Sequence, residues 1–233
     1  MLMIRSTRKF PSLPYFWSLI DWSIPSLNPY KGQLLQAQSV DDLANIARKR
    51  TPKVVFDYVE GGAIDEIAYS RSRAAYSRIE INSRVLRDVS KIDTSEKILG
   101  KVVDIPICFA PTGYTRLMHH VGEPAVANVA SNKNLIYALS TMGTTSPEEL
   151  AAAVPNSRRW FQLYIMKNRS DSLAVIKQAK DNGFEALVLT VDTPVVGLRY
   201  GDNRNGLTVP PKIRINTVFA IARKPIWWLN LFT

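Results

Sequence analysis

The chain has 233 residues, of which 46% are hydrophobic and 21% are charged, a balance typical of a globular protein and not of a disordered segment. Its net charge of +10 could suit nucleic acid, an anionic membrane or an anionic substrate, but without a long basic run we favour scattered surface cations and expect no nucleic-acid partner. A single cysteine, Cys108, excludes an internal disulfide and a multi-cysteine metal site, and no stretch approaches the roughly 18 apolar residues of a membrane span. Because Cys108 lies in an apolar run, we expect a buried, inert thiol, a reducing compartment and no metal site.

Residues 1–38 are rich in Pro, Ser and aromatic residues without a clear period, and we interpret residues 1–38 as an irregular N-terminal arm. Ser39 then predicts the start of a helix, because its hydroxyl can accept a hydrogen bond from the first turn. Pro52 begins a second helix that Gly61-Gly62 ends, and a third helix is expected over Glu66 to Tyr76. These helices precede any strong strand, so we expect them to form an N-terminal helical cap.

From Val102 onwards, apolar strands alternate with helices. The helices are predicted near Glu123, at Ser146 with a capping box, and at Ser170 as an N-cap. We expect the last strand to be buried on both faces, because it is a continuous apolar run. The four predicted strands are Val102–Ala110, Leu135–Leu139, Trp160–Tyr164 and Ala186–Val191.

The alternation of strands and helices predicts an α/β fold with a parallel sheet. Polar or glycine residues follow each strand, as they do in a (β/α)₈ TIM barrel, whose strand ends all meet at one face. A doubly wound sheet is the alternative, but the G-x-G-x-x-G turn usual for its dinucleotide sites is missing from the sequence. We therefore predict a TIM barrel with about the first four of its eight βα units present.

The residues at the strand ends form the candidate site. Most are neutral hydrogen-bonding groups, which suit a planar heteroaromatic cofactor better than a metal. Thr190 and Asp192 are two residues apart and point to the same side of an extended chain. Asp192 is the only carboxylate of the set and therefore the natural partner of a base. The candidate residues are Pro111, Thr112, Gly113, Ser140, Gln162, Tyr164, Thr190 and Asp192.

Each of these residues also has a plain structural explanation. Ser140 and Thr190 could satisfy backbone groups at strand ends, and Asp192 could cap a turn. Tyr58 could be a packing tyrosine and Arg199 one more solvated cation. Their joint occurrence, in order and at strand ends, favours the functional interpretation.

Several ordered motifs together resemble the FMN-dependent 2-hydroxy-acid dehydrogenases and oxidases, most of all the L-lactate dehydrogenase branch. The resemblance covers residues 39–233, which we interpret as one such domain truncated at its C-terminal side. The motifs are Phe56-Asp57-Tyr58, Gly61-Gly62-Ala63, Ala110-Pro111-Thr112-Gly113, Leu139-Ser140-Thr141, Phe161-Gln162-Leu163-Tyr164, Leu189-Thr190-Val191-Asp192-Thr193-Pro194 and Gly197-Leu198-Arg199.

The resemblance implies a role for each matching residue. The cofactor would be FMN, held by Pro111, Thr112, Gly113, Ser140, Gln162 and Thr190. The substrate, a 2-hydroxy acid and most specifically L-lactate, would be held by Tyr58, Tyr164 and Arg199, the last on its carboxylate. The catalytic residues would be Tyr164 and Asp192, with Asp192 stabilising a protonated catalytic histidine.

The sequence lacks the family's later motifs, a flavin-binding lysine strand and a His-Gly-Gly motif followed by an arginine. Its two histidines, His119 and His120, follow the first strand and are interpreted as a surface pair. We therefore expect this chain alone to be inactive and to bind FMN weakly or not at all. The alternatives for the protein are a 2-hydroxy-acid oxidase that uses oxygen and a non-catalytic truncated remnant.

The C-terminal segment places Lys212, Arg214, Arg223 and Lys224 beside Trp227-Trp228. This composition suits a bilayer interface, while the alternative is a tryptophan pair packed on the rest of a barrel. The resemblance implies a cytoplasmic protein with peripheral contact at the inner face of the membrane. It also implies a homo-oligomer at full length and an electron acceptor that is a quinone, a cytochrome or oxygen.

Overall fold

The computed structural model describes residues 12–18, 29–193, 195, 197–205, 218–219 and 222–232. The chain divides into two compact units, Met1–Ile46 and Ala47–Thr233. The first unit contains helices α1 (Leu13–Ser18) and α2 (Pro29–Gln36), so the region predicted as an irregular arm includes two short helices. The boundary between the units falls inside helix α3 (Val40–Arg50), and the assignment of residues 39–233 as one domain stays a prediction.

Three further helices follow α2 and precede the sheet, as the sequence predicts. The start of α3 is confirmed, because the Ser39 hydroxyl accepts from the Asp42 N–H at 3.1 Å while the Asp42 carboxylate accepts from the Ser39 N–H at 3.0 Å. Helix α4 (Lys53–Glu60) follows Pro52, ends at Gly61 and buries Val54, Val55 and Phe56. Helix α5 (Ile67–Tyr76) buries none of its residues.

The first predicted strand, Val102–Ala110, is wrong as a single element. Strands β1 (Glu96–Ile98) and β2 (Lys101–Val103) form an antiparallel hairpin, and only β3 (Cys108–Phe109) joins the main sheet. Pro106 lies between β2 and β3, and a proline cannot donate a ladder hydrogen bond. Cys108 is exposed, which corrects the expected buried thiol, because β3 is an edge strand of the described sheet.

The main sheet has four parallel strands in the order β3-β4-β5-β6. The last three are β4 (Ile136–Ser140), β5 (Arg158–Leu163) and β6 (Ala186–Leu189). Neighbouring strands are consecutive in the chain, as in successive βα units of a barrel. The described residues thus form an α/β fold with a four-stranded parallel sheet and no closed barrel.

Helices connect the strands and continue beyond them. The capping box at Ser146 and Glu149 is confirmed. Ser170 is not an N-cap, because its helix begins at Arg169 and Asn168 occupies the N-cap position. None of the helices in the described part of the chain is long and apolar enough to cross a membrane. The helices that follow β3 are α6 (Thr115–Met118), α7 (Glu123–Asn132), α8 (Pro147–Ala153), α9 (Arg169–Asp181), α10 (Tyr200–Asn205) and α11 (Pro225–Phe232).

The hydrophobic core lies between β4 and β5 and the helices α7 to α9. Strand β4 is buried along its whole length. Strand β6 is instead half exposed, with Leu187 and Leu189 each 47% accessible. The prediction of burial on both faces is therefore wrong, because β6 is the last strand in the described sheet and has a neighbour on one side only. The core side chains are Ala127, Ala130, Tyr137, Leu139, Leu150, Val154, Phe161, Leu163 and Ala179.

Candidate functional site

Three predicted cofactor residues meet at the carboxyl end of the sheet. Ser140 ends β4 and is paired in register with Gln162 of β5, and Thr190 follows β6. The Ser140 hydroxyl donates to Gln162 Oε1 at 3.1 Å, and Gln162 Nε2 donates to Thr190 Oγ1 at 2.7 Å. Ser140 and Gln162 are almost fully buried, with 6% and 3% of their surfaces accessible. The result is a continuous row of neutral hydrogen-bonding groups across three strands, which we call the polar row.

Gly113, in the loop after β3, lies against the loop after β4. A Cβ atom at Gly113 would lie 2.9 Å from the Cβ of Met142, so a larger residue would force the two loops apart. The next residue, Tyr114, donates its N–H to the Met142 carbonyl at 2.9 Å. Glycine at this position therefore leaves room for Met142. Pro111 and Thr112, the other two predicted flavin contacts of this loop, are exposed.

A buried carboxylate that the sequence did not indicate supports the same loop. Glu123 is fully buried at the start of α7. Its oxygens accept from the Thr144 N–H at 2.6 Å, from the Thr144 hydroxyl at 2.7 Å and from the Thr145 hydroxyl at 2.8 Å. Burial favours a higher pKa for Glu123, but the hydrogen bonds from Thr144 and Thr145 outweigh it and leave the pKa below its ordinary value. The loop that leads into α8 thus depends on an ionised side chain at the start of α7.

Two predicted substrate residues, Tyr58 and Arg199, lie in contact although 141 positions separate them. The guanidinium carbon of Arg199 is 4.7 Å from the centroid of the Tyr58 ring. The Arg199 Nη2 donates to the backbone carbonyls of Tyr58 and Gly61, the latter at 2.8 Å, and its Nε lies 2.8 Å from the Asp202 carboxylate. Arg199 therefore joins the C-terminal end of α4 to α10.

Burial governs the ionisation of this cluster. It raises the pKa of the Tyr58 phenol, with a further increase from Tyr114 and a smaller opposing effect of Arg199. Burial also raises the pKa of Asp202 above its ordinary value, and the positive charge of Arg199 offsets this only in part. Tyr58 is thus held in its neutral form, able to donate a hydrogen bond. Asp202 is a further residue that the sequence did not indicate.

The two predicted catalytic residues are more open. Tyr164 follows β5, is 38% accessible and donates its N–H to Thr141 Oγ1 at 3.0 Å. Asp192 is exposed and accepts from the Thr193 hydroxyl at 3.5 Å. Among the described residues, no hydrogen bond or ion pair connects Asp192 to the other predicted site residues. The structure therefore brings the polar row together and Tyr58 to Arg199, but leaves Asp192 apart.

The two histidines stack on each other, with ring centroids 4.5 Å apart. Both are exposed, as expected for a surface pair. Burial lowers the pKa of His119, and the neighbouring His120 and Arg50 lower it further. Within the described ranges, no group of three or more His, Cys, Asp and Glu side chains could hold a metal ion.

A cavity of about 680 Å³ adjoins the cluster around Arg199 and shares Gly61 and Asp202 with it. Its walls carry charges of both signs, and most of these charges already have partners. Asp57, for example, accepts from Asn205 at 2.9 Å and pairs with Lys53. The lining residues are Arg48, Thr51, Lys53, Phe56, Asp57, Glu60, Gly61, Gly62, Glu66, Tyr69, Gly201, Asp202, Asn205 and Lys224.

The chemistry of the polar row fits one edge of a flavin. An isoalloxazine ring carries neutral N–H and C=O groups, which amide and hydroxyl side chains can match without charge. Gln162 supplies a buried amide and Ser140 and Thr190 supply hydroxyls on the same line. The fold and the polar row together indicate an α/β protein of a flavin-binding class.

Comparison with known proteins identifies the family. Residues 47–232 match the model of the FMN-dependent dehydrogenase family. The chain is 38% identical over 226 residues to a putative L-lactate dehydrogenase of Mycobacterium tuberculosis, covering 97% of this chain and 55% of that protein. It is 43% identical over 172 residues to a peroxisomal (S)-2-hydroxy-acid oxidase of Oryza sativa subsp. indica, covering 74% of this chain and 47% of the oxidase.

The solved structures agree with this assignment. The crystal structure of the monotopic membrane protein (S)-mandelate dehydrogenase superposes with a TM-score of 0.79 at 31% identity, covering 83% of this chain and 52% of that one. The chain therefore belongs to the FMN-dependent dehydrogenase family, whose members are FMN-dependent oxidoreductases. It spans about half the length of the curated relatives it matches.

Proposed function

We propose that the complete protein oxidises an L-2-hydroxy acid to the corresponding 2-oxo acid, with FMN as the first electron acceptor. The observation that carries this proposal is the polar row of Ser140, Gln162 and Thr190, present at the strand ends of a chain from the FMN-dependent dehydrogenase family. Bound FMN would supply the two-electron redox chemistry that links this oxidation to a second acceptor. The test is anaerobic bleaching of the flavin absorbance by a 2-hydroxy acid.

The residues of this chain take the roles that the motifs imply. The polar row holds the flavin ring by hydrogen bonds, and the loop Pro111-Thr112-Gly113 approaches its reactive edge. Arg199 binds the substrate carboxylate, because a permanently charged planar group matches a carboxylate anion. Tyr58 and Tyr164 orient the substrate, and Asp192 stabilises the protonated catalytic histidine that the family resemblance implies.

We propose L-lactate as the substrate. The proposal is supported by the relative named a putative L-lactate dehydrogenase, which matches 97% of this chain. Stopped-flow reduction of the FMN-loaded complete protein by L-lactate, glycolate and (S)-mandelate compares the three directly. We expect the highest kcat/KM for L-lactate, and a higher value for either of the other acids would contradict this choice.

The second acceptor is a quinone, a cytochrome or oxygen. The oxidase alternative is supported by the similarity to a peroxisomal (S)-2-hydroxy-acid oxidase. Hydrogen peroxide formed in stoichiometric amounts with the 2-oxo acid under air favours the oxidase. Reduction of a quinone analogue without peroxide favours the dehydrogenase.

Helix α11 is a candidate contact with a membrane surface. Ile226 and Leu229 are 57% and 50% accessible, whereas Trp227 is partly buried and its indole N–H donates to the Leu117 carbonyl at 2.7 Å. Arg223 precedes the helix and adds positive charge, while Lys212 and Arg214 lie outside the described residues. Exposed apolar and basic groups together suit an anionic bilayer, and the structural neighbour described as a monotopic membrane protein supports this proposal.

Flotation of the complete protein with phosphatidylserine vesicles tests the membrane contact. We expect Ile226→Ser with Leu229→Ser to reduce the floating fraction several-fold. Trp227→Ala is a weaker probe, because Trp227 also anchors α11 to α6. Equal flotation of the Ile226→Ser, Leu229→Ser variant and the unmodified protein would contradict the proposal.

The 233-residue chain alone stays predicted to be inactive, since the later family motifs are not in this sequence. Turnover of L-lactate by the purified chain would contradict that expectation. A homo-oligomeric complete protein is proposed on the resemblance alone. A non-catalytic remnant is the remaining alternative, and it is favoured if the complete protein binds no FMN.

A further inference from the structure

The ring of Tyr58 has an aromatic neighbour that no motif indicates. The centroids of the Tyr58 and Tyr114 rings are 6.0 Å apart and their planes are inclined by 71°. This is an edge-to-face arrangement, in which the positive edge of one ring meets the negative face of the other. Tyr58 lies on α4, whereas Tyr114 is the residue that precedes α6. The contact therefore joins the helical cap to the loop that follows β3.

The backbone of Tyr114 is held in an unusual conformation. Its φ of 55° and ψ of 35° lie in the left-handed region, which residues with a side chain seldom adopt and which surrounding contacts must maintain. Two hydrogen bonds do so, from the Tyr114 N–H to the Met142 carbonyl and from the Leu117 N–H to the Tyr114 carbonyl, each at 2.9 Å. The ring of Tyr114 therefore projects from a backbone that cannot shift freely.

Tyr58 itself needs such support. It is only partly buried, and its other close neighbour is the guanidinium of Arg199, 4.7 Å from the ring centroid. Arg199 is assigned to the substrate carboxylate, so a bound anion competes for the same positive charge. A neutral aromatic contact keeps the Tyr58 ring in place without competing for Arg199.

We propose that Tyr114 is a positioning residue for the reaction, whose ring holds the Tyr58 phenol in the orientation that binds the 2-hydroxy acid. This inference rests on the proposed function, in which Tyr58 binds the substrate. Tyr114 acts through Tyr58 and not on the substrate directly. Because it also directly follows Gly113, it ties the position of Tyr58 to the loop expected to contact the flavin.

The test compares Tyr114→Phe, which keeps the ring, with Tyr114→Leu and Tyr114→Met, which remove it at similar volume. We expect Tyr114→Leu and Tyr114→Met to raise the KM for L-lactate and the Kd for pyruvate about three- to tenfold, the range that aromatic pairs contribute. The Kd is measured from the change in flavin absorbance of the oxidised complete protein. We expect Tyr114→Phe to stay within about twofold of the unmodified protein, and the Kd for FMN to change less than about twofold in all three variants.

A double-mutant cycle separates positioning from general packing. In a Tyr58→Phe background the phenol is gone, so Tyr114→Leu should add less than about a twofold effect on the Kd for pyruvate. Tyr76→Leu is the matched control, because Tyr76 is 78% accessible at the end of α5. Additive effects of Tyr58→Phe and Tyr114→Leu, a weakened FMN affinity with normal pyruvate binding, or an equal effect of Tyr76→Leu would each overturn the inference.

The experiment distinguishes a wrong proposed function from a wrong role of Tyr114. If the unmodified complete protein binds no FMN or is not reduced by any 2-hydroxy acid, the proposed function is wrong. The substrate role of Tyr58, which depends on that function, is then wrong as well. If the unmodified protein turns over and the ring-removing variants match it, only the role of Tyr114 is wrong.

Discussion

The base of the parallel sheet, at its amino end, is held by charged side chains, whereas the polar row at its carboxyl end is neutral. Arg158 begins β5 and forms an ion pair with Glu185. Its Nη2 and Nε both donate to Oε2 of Glu185, at 2.9 and 3.1 Å. Lys101 of β2 adds a second cation at 2.6 Å, and Arg158 also donates to the Ile98 carbonyl. These contacts tie the β1–β2 hairpin to the base of the sheet.

The carboxyl end uses hydroxyl and amide groups instead. The polar row contains no charged side chain. The buried Glu123 carboxylate nearby stays ionised and is held by hydrogen bonds from Thr144 and Thr145, and no ion pair to it occurs among the described residues. In barrels the carboxyl end carries the chemistry and the amino end contributes stability. Ion pairs with fixed partners suit the amino end, whose role is to stabilise the fold. Uncharged hydrogen-bonding groups suit the carboxyl end, because they can match the polar groups of a neutral ligand.

The largest effect is expected at Glu123. Replacing it by alanine leaves three donors without acceptors, two on the partly buried Thr144 and one on the buried Thr145. Glu123→Ala should therefore lower the free energy of unfolding by about 3–4 kcal/mol. Urea unfolding of the purified protein measures this. Glu148→Ala, at an exposed position in the first turn of α8, is the control and should change stability by less than about 0.5 kcal/mol. A small effect of Glu123→Ala would mean that the loop after β4 does not depend on this carboxylate.

A smaller loss is expected at the amino end. Glu185→Ala removes the partner of Arg158, whose side chain is 11% accessible, and should cost about 2–3 kcal/mol. Lys101→Ala should cost less than about 1 kcal/mol, because its side chain is 64% accessible. The same unfolding measurement applies. Equal losses for Glu185→Ala and Lys101→Ala would show that Arg158 is not the main partner of this carboxylate.

Gln162 tests the function of the carboxyl end. Gln162→Leu keeps the approximate volume but removes the amide between Ser140 and Thr190, so the affinity of the complete protein for FMN should fall about tenfold, or about 1.4 kcal/mol. Quenching of FMN fluorescence on binding measures the Kd. Gln36→Leu, at an exposed site on α2, is the matched control. An unchanged Kd for Gln162→Leu would contradict the assignment of the polar row to the flavin.

Salt, and not pH, should distinguish the two carboxylates, and the difference is the smallest of the expected effects. For Glu185, burial favours a higher pKa, but Arg158 and Lys101 outweigh it and keep the pKa below its ordinary value of 4.5. A lowered folded-state pKa means that stability is fully present above that ordinary value and is lost as the pH falls towards the folded-state pKa. Glu123 follows the same rule, since its pKa is also lowered.

The response to salt should differ, because screening acts on the exposed cation of the Glu185 cluster and not on the buried donors around Glu123. Raising NaCl to about 1 M should reduce the loss caused by Glu185→Ala by a few tenths of a kcal/mol and leave the loss caused by Glu123→Ala unchanged. Unfolding curves at low and high salt measure both. A salt-sensitive Glu123→Ala would remove the distinction between the two ends.

Features that depend on neighbouring residues could be predicted from the sequence. The helix start at Ser39 and the capping box at Ser146 and Glu149 were predicted because a cap and its backbone partner lie three positions apart. The order of the parallel strands and the approximate bounds of β4 and β5 followed from apolar runs separated by helical segments. The meeting of Ser140, Gln162 and Thr190 also followed, since strand ends of consecutive βα units share one edge.

Features that depend on which parts of the chain meet were decided by the tertiary structure alone. An apolar run cannot show that β6 has one neighbour instead of two, nor that the turn around Pro106 separates β2 from β3. The hydrogen bonds of buried Glu123 with Thr144 and Thr145 and the contact of Tyr114 with Tyr58 join segments that lie far apart in the sequence. Sequence spacing carries no information about such pairs, because their distances are set by the packing of the helical cap and the loops on the sheet.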